Sequence, residues 1–203
     1  MSRPSIDFAL YLLGLRRPQT AVTTAESRLL TILADGRSCV VEVGVDQGAT
    51  SVKLAAALGL GGCLWLIDPY VHHTWPERLL GCSFAEHIAR RSLRPWARRV
   101  RFVRRASTLA AHELAMENPA ELIFVDADHS YRAVRQDFEA WLPRLAADGV
   151  LAFHDSRLCP ARPDLDAGAG PVRLVDEILR GEHGPWSLVA EVDSIAALRR
   201  GSS

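Results

Sequence analysis

Five apolar runs rich in β-branched residues, at 39–44, 63–68, 100–104, 122–126 and 150–154, are separated by helix-like stretches, and this alternation constrains the fold most. The intervening segments near 49–58, 83–92, 108–116 and 131–145 are amphipathic or Ala/Leu-rich, and Gly149 is placed to end the last of them. Strands that alternate with helices are joined by right-handed crossovers, which build a mostly parallel sheet covered on both faces. The tail departs from this rhythm. A loop rich in Pro, Gly and Asp, SRLCPARPDLDAGAGP, precedes a helix near 172–180, and the runs WSLVAEV and SIAALRR are close enough to pair as an antiparallel hairpin at the sheet edge. The expected class is α/β, with seven strands. Two helical stretches, about 5–14 and 22–34, come first. With no boundary visible, residues 1–203 read as one domain, a helical extension over 1–36 and a core over 37–203.

Charge excludes some partners. Lys+Arg and Asp+Glu balance at 24 each, so no global field favours nucleic acid or an anionic membrane as the main partner. The longest apolar stretches fall far short of the roughly 20 residues that span a bilayer, and the cytoplasm is the expected location. Four cysteines, Cys39, Cys63, Cys82 and Cys159, lack CxxC or zinc spacing and receive no role.

Ligands of an open parallel sheet bind outside the carboxyl ends of its strands, where the strand order reverses. In this chain those ends are polar: Asp68 closes the second run, Asp126 the fourth, with Asp128 and His129 just beyond, and His154 and Asp155 the fifth. One such residue can simply end a strand and cap a helix. Three ends that do so together point to a shared rim. The first turn, VVEVGVDQGATS, sets Gly44 at the end of a strand and Gly48 at the start of a helix, so a ligand can approach bare backbone. Its Gly-x-x-x-Gly spacing departs from the G-x-G-x-x-G that seats a pyrophosphate, which disfavours a dinucleotide. An acid at Asp68 can accept hydrogen bonds from both hydroxyls of a ribose.

With VEVGVDQGATS, LIDPY, FVDADHSYRAVRQDFEAW and GVLAFHDS read together, the chain resembles the class I S-adenosylmethionine-dependent methyltransferases, in particular small bacterial enzymes related to catechol, macrolide-sugar and macrocin O-methyltransferases. The resemblance implies a Rossmann-like sheet ending in an antiparallel hairpin. It implies that Glu42, Gly44 and Gly48, with Ser51, cradle the methionine part, that Asp68 holds the ribose, and that Ser107 lies by the adenine. Asp126 would touch the cofactor and also serve catalysis. A divalent metal, Mg²⁺ or Mn²⁺, would sit on Asp126, His154 and Asp155, with His129 as the base. In relatives an acid is more usual at the position of His154.

The chemistry independently asks for such a site. A sulfonium methyl is already electrophilic, so the protein must supply a deprotonated hydroxyl aligned behind it. A cation held by carboxylates lowers the hydroxyl's pKa, and a neutral imidazole can take the proton. Asp126 and Asp155 are hard oxygen ligands, whereas an imidazole from His154 would shift preference toward Mn²⁺, Fe²⁺ or Zn²⁺. The expected partner is a small hydroxylated molecule, with homo-oligomer formation left open. Two other readings stay open: a metal-dependent oxygenase or hydrolase, because two His and a carboxylate can hold iron, and a binding protein that keeps the cofactor fold without turnover. Phe138 and Trp141 read as core. The Arg-rich stretch 90–105 reads as a solvated face, and the loop with His72, His73 and Trp75 reads either as a lid or as ordinary surface.

Overall fold

The computed structural model describes residues 4–201. Helices α1 (Pro4–Leu12) and α2 (Thr24–Ala34) lead into β1 (Cys39–Val43), α3 (Ala49–Ala57), β2 (Cys63–Ile67), α4 (Trp75–Leu80), α5 (Phe84–Ser92) and β3 (Val100–Val103). Helix α6 (Ser107–Glu113), β4 (Ala120–Val125), α7 (Tyr131–Trp141) and β5 (Leu145–Phe153) complete the alternation. Helix α8 (Gly170–Leu179) then precedes β6 (Trp186–Val192) and β7 (Ile195–Arg200). The strands form one sheet in the order β3-β2-β1-β4-β5-β7-β6. Pairing is parallel from β3 through β5, whereas β7 runs antiparallel to both β5 and β6.

Strand side chains alternate between two apolar faces. Val40, Leu64, Leu66, Leu122 and Phe124 pack with Leu30, Leu54 and Ala89 on the side of α2, α3 and α5. Val41, Val43, Ile123, Val125 and Phe153 pack with Ala110, Phe138 and Leu174 on the side of α6, α7 and α8. Each large side chain so buried contributes roughly 1.5–3 kcal/mol, which is why continuous apolar runs become central strands. Phe138 and Trp141 are core, as expected.

Two local expectations are corrected. The helix expected to continue to residue 145 stops at Trp141, because Pro143 has no N–H to extend the ladder and forms part of a 3-10 turn. Strand β5 therefore begins at Leu145 and contains Gly149, which accompanies a register shift against β4. A Cβ at Gly149 would stand 3.0 Å from the Ala120 carbonyl, so this glycine admits a close strand crossing and ends no helix. The connection after β2 contains an unexpected helix, α4. Its signal was present in the sequence: Thr74 and Glu77 form a capping box, with Pro76 in the first turn.

Candidate active site

The winding reverses between β1 and β4, and the strand ends there open onto a cavity of about 700 Å³. Ladder hydrogen bonds carry the key residues one step past the strands: Gly44 N donates to Ile67, Asp68 N to Val103, Asp126 N to Val43 and His154 N to Val125. Parallel pairing thus sets Gly44, Asp68, Asp126 and His154 along one edge.

Gly44 is required by the backbone. Its φ is +87°, and a Cβ would run into the Asp126 carbonyl, so the glycine serves the approach of β1 to β4. Asp68 Oδ2 accepts from the amides of Val45 (2.9 Å) and Asp46 (3.1 Å), and Oδ1 from Tyr70 N (2.7 Å). The acid expected to hold a ribose therefore also ties the β1–α3 turn to β2, and Oδ1 keeps a lone pair for a ligand. Glu42, 1% exposed, lines the cavity with Oε2 unpartnered. Burial pushes its carboxyl up to about 8; the Ser51 hydroxyl nearby opposes this without reaching hydrogen-bond geometry. A cation placed beside Glu42 would draw it back to the carboxylate form.

Gly48 and Ser51 do not line the cavity. Gly48 stands at the start of α3 with φ +73°, where a Cβ would press on Ala89 at 3.0 Å; it permits α3 to meet α5. Ser107 is in the wall, its Oγ accepting from Trp141 Nε1 at 2.8 Å. The loop after β2 forms wall rather than free surface: Tyr70, Val71 and His73 line the cavity, while His72 meets Arg104 at 2.9 Å. No arginine of the 90–105 stretch reaches the cavity.

At the ends of β4 and β5 a second group of side chains crowds together. His154 is buried, with Nδ1 3.1 Å from Asp126 Oδ1 and 3.3 Å from Asp155 Oδ1, and Nε2 3.4 Å from Glu26 Oε2. His129 is half-exposed, its Nε2 3.6 Å from Asp126 Oδ1 and 3.4 Å from Asp155 Oδ2. Burial works against the imidazolium of His154, but the Asp126 and Glu26 carboxylates beside its two nitrogens outweigh it and raise the group to about 10. Burial likewise opposes the charged form of Asp126, yet His129 and His154 bring it down to about 2. The neighbouring Asp126 also raises His129 above its ordinary value. The surrounding acids thus shift both imidazoles toward a preference for the proton, whereas the sequence reading assigned His129 as a neutral base. A dication in the cluster would invert that preference.

The donors suit such an ion. Asp126, His129 and His154 each bring a ligand atom within 4.8 Å of the others. Asp155, expected as a ligand, stands beside this set, with Oδ1 paired with Arg162 Nη1 and facing Ser194 Oγ at 3.3 Å, and Oδ2 3.4 Å from His129 Nε2. Glu26 stands behind the His154 ring, the position from which a carboxylate orients a ligating imidazole.

Sequence reading missed both Glu26 and Arg162. Glu26 closes a capping box with Thr23 and accepts from Ser194 N (2.8 Å) and Oγ (2.6 Å), joining α2, β5 and the β6–β7 turn. The Thr-x-x-Glu spacing announced the cap but not the histidine. Arg162 lies in the loop after β5, where no local pattern marks a partner.

A family model described as a methyltransferase domain matches residues 41–156. The chain belongs to that family. The matched stretch contains every expected site residue named above. An uncharacterized protein of Sinorhizobium fredii is 26% identical over 122 residues, a stretch that spans 59% of this chain and 13% of that protein. Among solved structures, the O-methyltransferase TomG of Streptomyces achromogenes, involved in tomaymycin synthesis and solved with SAM, superposes with a TM-score of 0.65 at 22% identity, covering 99% of this chain and 91% of TomG. An O-methyltransferase of Bacillus cereus in complex with SAH gives 0.64 at 16% identity, with 98% and 92% covered. The methyltransferase domain thus has the Rossmann-like methyltransferase fold with its antiparallel terminal hairpin. Among the described residues no helix is long and apolar enough to cross a membrane.

Proposed function

We propose that this methyltransferase domain, acting as one unit over residues 1–203 in the cytoplasm, transfers a methyl group from S-adenosylmethionine to a hydroxyl of a small natural product or sugar, assisted by Mg²⁺ or Mn²⁺. The observation that carries this reading is the charge of the cavity. Its described lining holds seven acidic side chains, Glu42, Asp46, Asp68, Glu77, Asp126, Asp128 and Asp137, and no lysine or arginine; burial pushes Glu42, Asp46 and Asp137 toward their neutral forms, and a cation beside them would draw them back. Such walls suit a ligand with a sulfonium and an ammonium and repel one with a pyrophosphate. Glu42 is the acid for the amino-acid end, and Asp68 the acid for the ribose.

When bound, the cofactor supplies an electrophilic methyl, and a rim cation lowers the pKa of the acceptor hydroxyl. Asp126 and His154 would hold that cation together with His129 or Asp155, and Glu26 keeps the His154 ring turned toward them. His129, the most exposed member, is the proton acceptor if it does not ligate. Asp126 and Asp155 stabilise the imidazolium that results. Gln19, Thr20 and Ala21 of the leading extension cover the cavity from the α3 side and limit water there.

A second reading is favoured by one contact. Arg162 already supplies a positive charge to Asp155, so the imidazole–carboxylate cluster could run acid–base chemistry with no metal. Calorimetry with S-adenosylhomocysteine and labelled-methyl transfer to a panel of hydroxylated metabolites, with and without EDTA, test both. Asp126→Asn should lose activity that excess Mn²⁺ partly restores. Full activity after EDTA removes the metal from the proposal, and failure to bind S-adenosylhomocysteine removes the proposal itself.

A further inference from the structure

A second cavity, of about 630 Å³, lies along α2 and α3 and shares Thr20, Ala49 and Thr50 with the first. The two are opposite in charge: the described lining of the first holds acids and no lysine or arginine, and that of the second holds Arg28 and Lys53 and no acid. The sequence leaves both cations without a local partner. On α5, α7 and α8 an arginine meets an acid one turn away, Arg90 with Glu86, Arg135 with Glu139 and Arg173 with Glu177. On α2 the residues four before and four after Arg28 are Thr24 and Ile32, and on α3 those flanking Lys53 are Ala49 and Ala57, so neither helix offers an acid. Among the described residues neither cation forms an ion pair.

Hydroxyl donors stand beside the cations. Those of Thr23 and Thr31 are committed to Asp193 and to the Ser27 carbonyl, which leaves those of Thr24 and Ser27 for a ligand. Two cations with free hydroxyls match a phosphate group, which carries about −1.5 to −2 charges at pH 7 and offers three acceptor oxygens. A guanidinium can grip two of those oxygens and an ammonium the third. A groove of this size also has room for an organic body, with Val22 and the 71% exposed Ile32 as its apolar wall. We infer that the groove is a binding site for a phosphate group, either the free ion or the ester of a small molecule, held by Arg28 and Lys53 with donation from Thr24 and Ser27. The acidic first cavity repels the same group, so the two sites take different ligands.

Lys53 is the only lysine in the chain, so its labelling reports the groove directly. Pyridoxal phosphate and pyridoxal differ in the phosphate alone. Each aldehyde condenses with the amine with loss of water, borohydride fixes the product, and mass spectrometry of the peptide that contains Lys53 gives the yield. With rates referred to free Nα-acetyl-lysine, and at physiological ionic strength to suppress long-range attraction, pyridoxal phosphate should label Lys53 about 10-fold or more faster than pyridoxal, as hydrogen bonds to a charged group allow. Arg28→Ala, at an exposed position that should leave the melting temperature unchanged, should bring this ratio near one, and Arg28→Lys should keep part of it. Phenyl phosphate that protects Lys53 at lower concentration than inorganic phosphate assigns the site to an ester; equal protection assigns it to the free ion. Equal labelling by the two aldehydes in the wild-type protein, or a ratio unmoved in Arg28→Ala, overturns the proposal and makes the groove solvated surface. The readout involves no methyl transfer, so its failure leaves the reading of the first cavity standing.

Discussion

The β1–α3 turn and the rim at the ends of β4 and β5 are both built from acids at strand ends, yet they carry charge in opposite ways. In the turn, Asp68 accepts from three backbone amides, and Glu42 Oε2 has no hydrogen-bond partner among the described residues. At the rim, His154 faces three carboxylates and Asp155 an arginine. In the proposed reading the turn offers acidic acceptors to a cationic ligand, which would draw Glu42 back to its carboxylate form. The rim holds matched charges poised for exchange, and a proton or a cation can move among them with little reorganisation. In the proposed reading, binding and proton transfer lie side by side, and Asp126 belongs to both.

The largest expected effect tests the rim alone. His129→Ala should lower turnover by about 10² to 10⁴-fold, the loss typical of a proton acceptor, while S-adenosylhomocysteine binding stays normal. Wild-type turnover should climb with pH as the imidazole, raised by Asp126, gives up its proton. The deficit of the variant should shrink at alkaline pH, where the acceptor hydroxyl ionises unaided. Near-normal turnover in the variant would make His129 a bystander and leave the rim without its exposed base.

Two smaller effects test the turn. Gly44→Val places a side chain at φ +87° and against the Asp126 carbonyl, so stability should fall by roughly 3 kcal/mol or more, read as a drop in melting temperature. A variant that melts normally but fails to bind S-adenosylhomocysteine would show that the glycine serves the ligand only. Asp68→Ala should weaken S-adenosylhomocysteine by about 1.5–3 kcal/mol, the range for hydrogen bonds to a charged acceptor. Unchanged affinity would mean that Asp68 only pins the turn.

This contrast also explains what the sequence made legible. The parallel sheet, its reversal point and the terminal hairpin follow from the alternation of short apolar runs with helices, a pattern contained within each segment. Glu42, Gly44 and Asp68 were readable because the turn is local, and the ladder bonds then fix where each one points. Asp126, His129, His154 and Asp155 were readable as strand ends. Their partners were not. Glu26 arrives from the leading extension and Arg162 from an irregular loop, and both are set by tertiary packing that no spacing encodes. Gly48 and Ser51 were assigned to the ligand because they follow the turn; Gly48 lies against Ala89 of α5, Ser51 is buried, and neither lines the cavity.

Glu26 offers the finest test, because it links the rim to an element outside the matched family segment. In the metal-free protein its carboxyl is brought from 4.5 to about 2: burial opposes the charge, and contacts with His154, Ser194 and Thr23 overcome that opposition. The unfolded chain therefore takes up a proton at Glu26 below about 4.5, whereas the folded chain resists until about 2, and stability drains as pH falls across that window. His154 works in the other direction. Raised from 6.5 to about 10, it contributes fully below 6.5 and loses its contribution as pH climbs toward 10. Stability in EDTA should accordingly peak between about 4.5 and 6.5. Glu26→Gln keeps an acceptor for Ser194 but removes the charge, so the peak should fall by about 1–2 kcal/mol, with a shallower acid arm and an alkaline arm that still begins near 6.5 but levels off sooner. Chemical denaturation across pH reads this directly. If both arms keep their wild-type shape in the variant, Glu26 is a helix cap that happens to lie near His154, and the rim is organised by Asp126 and Asp155 alone.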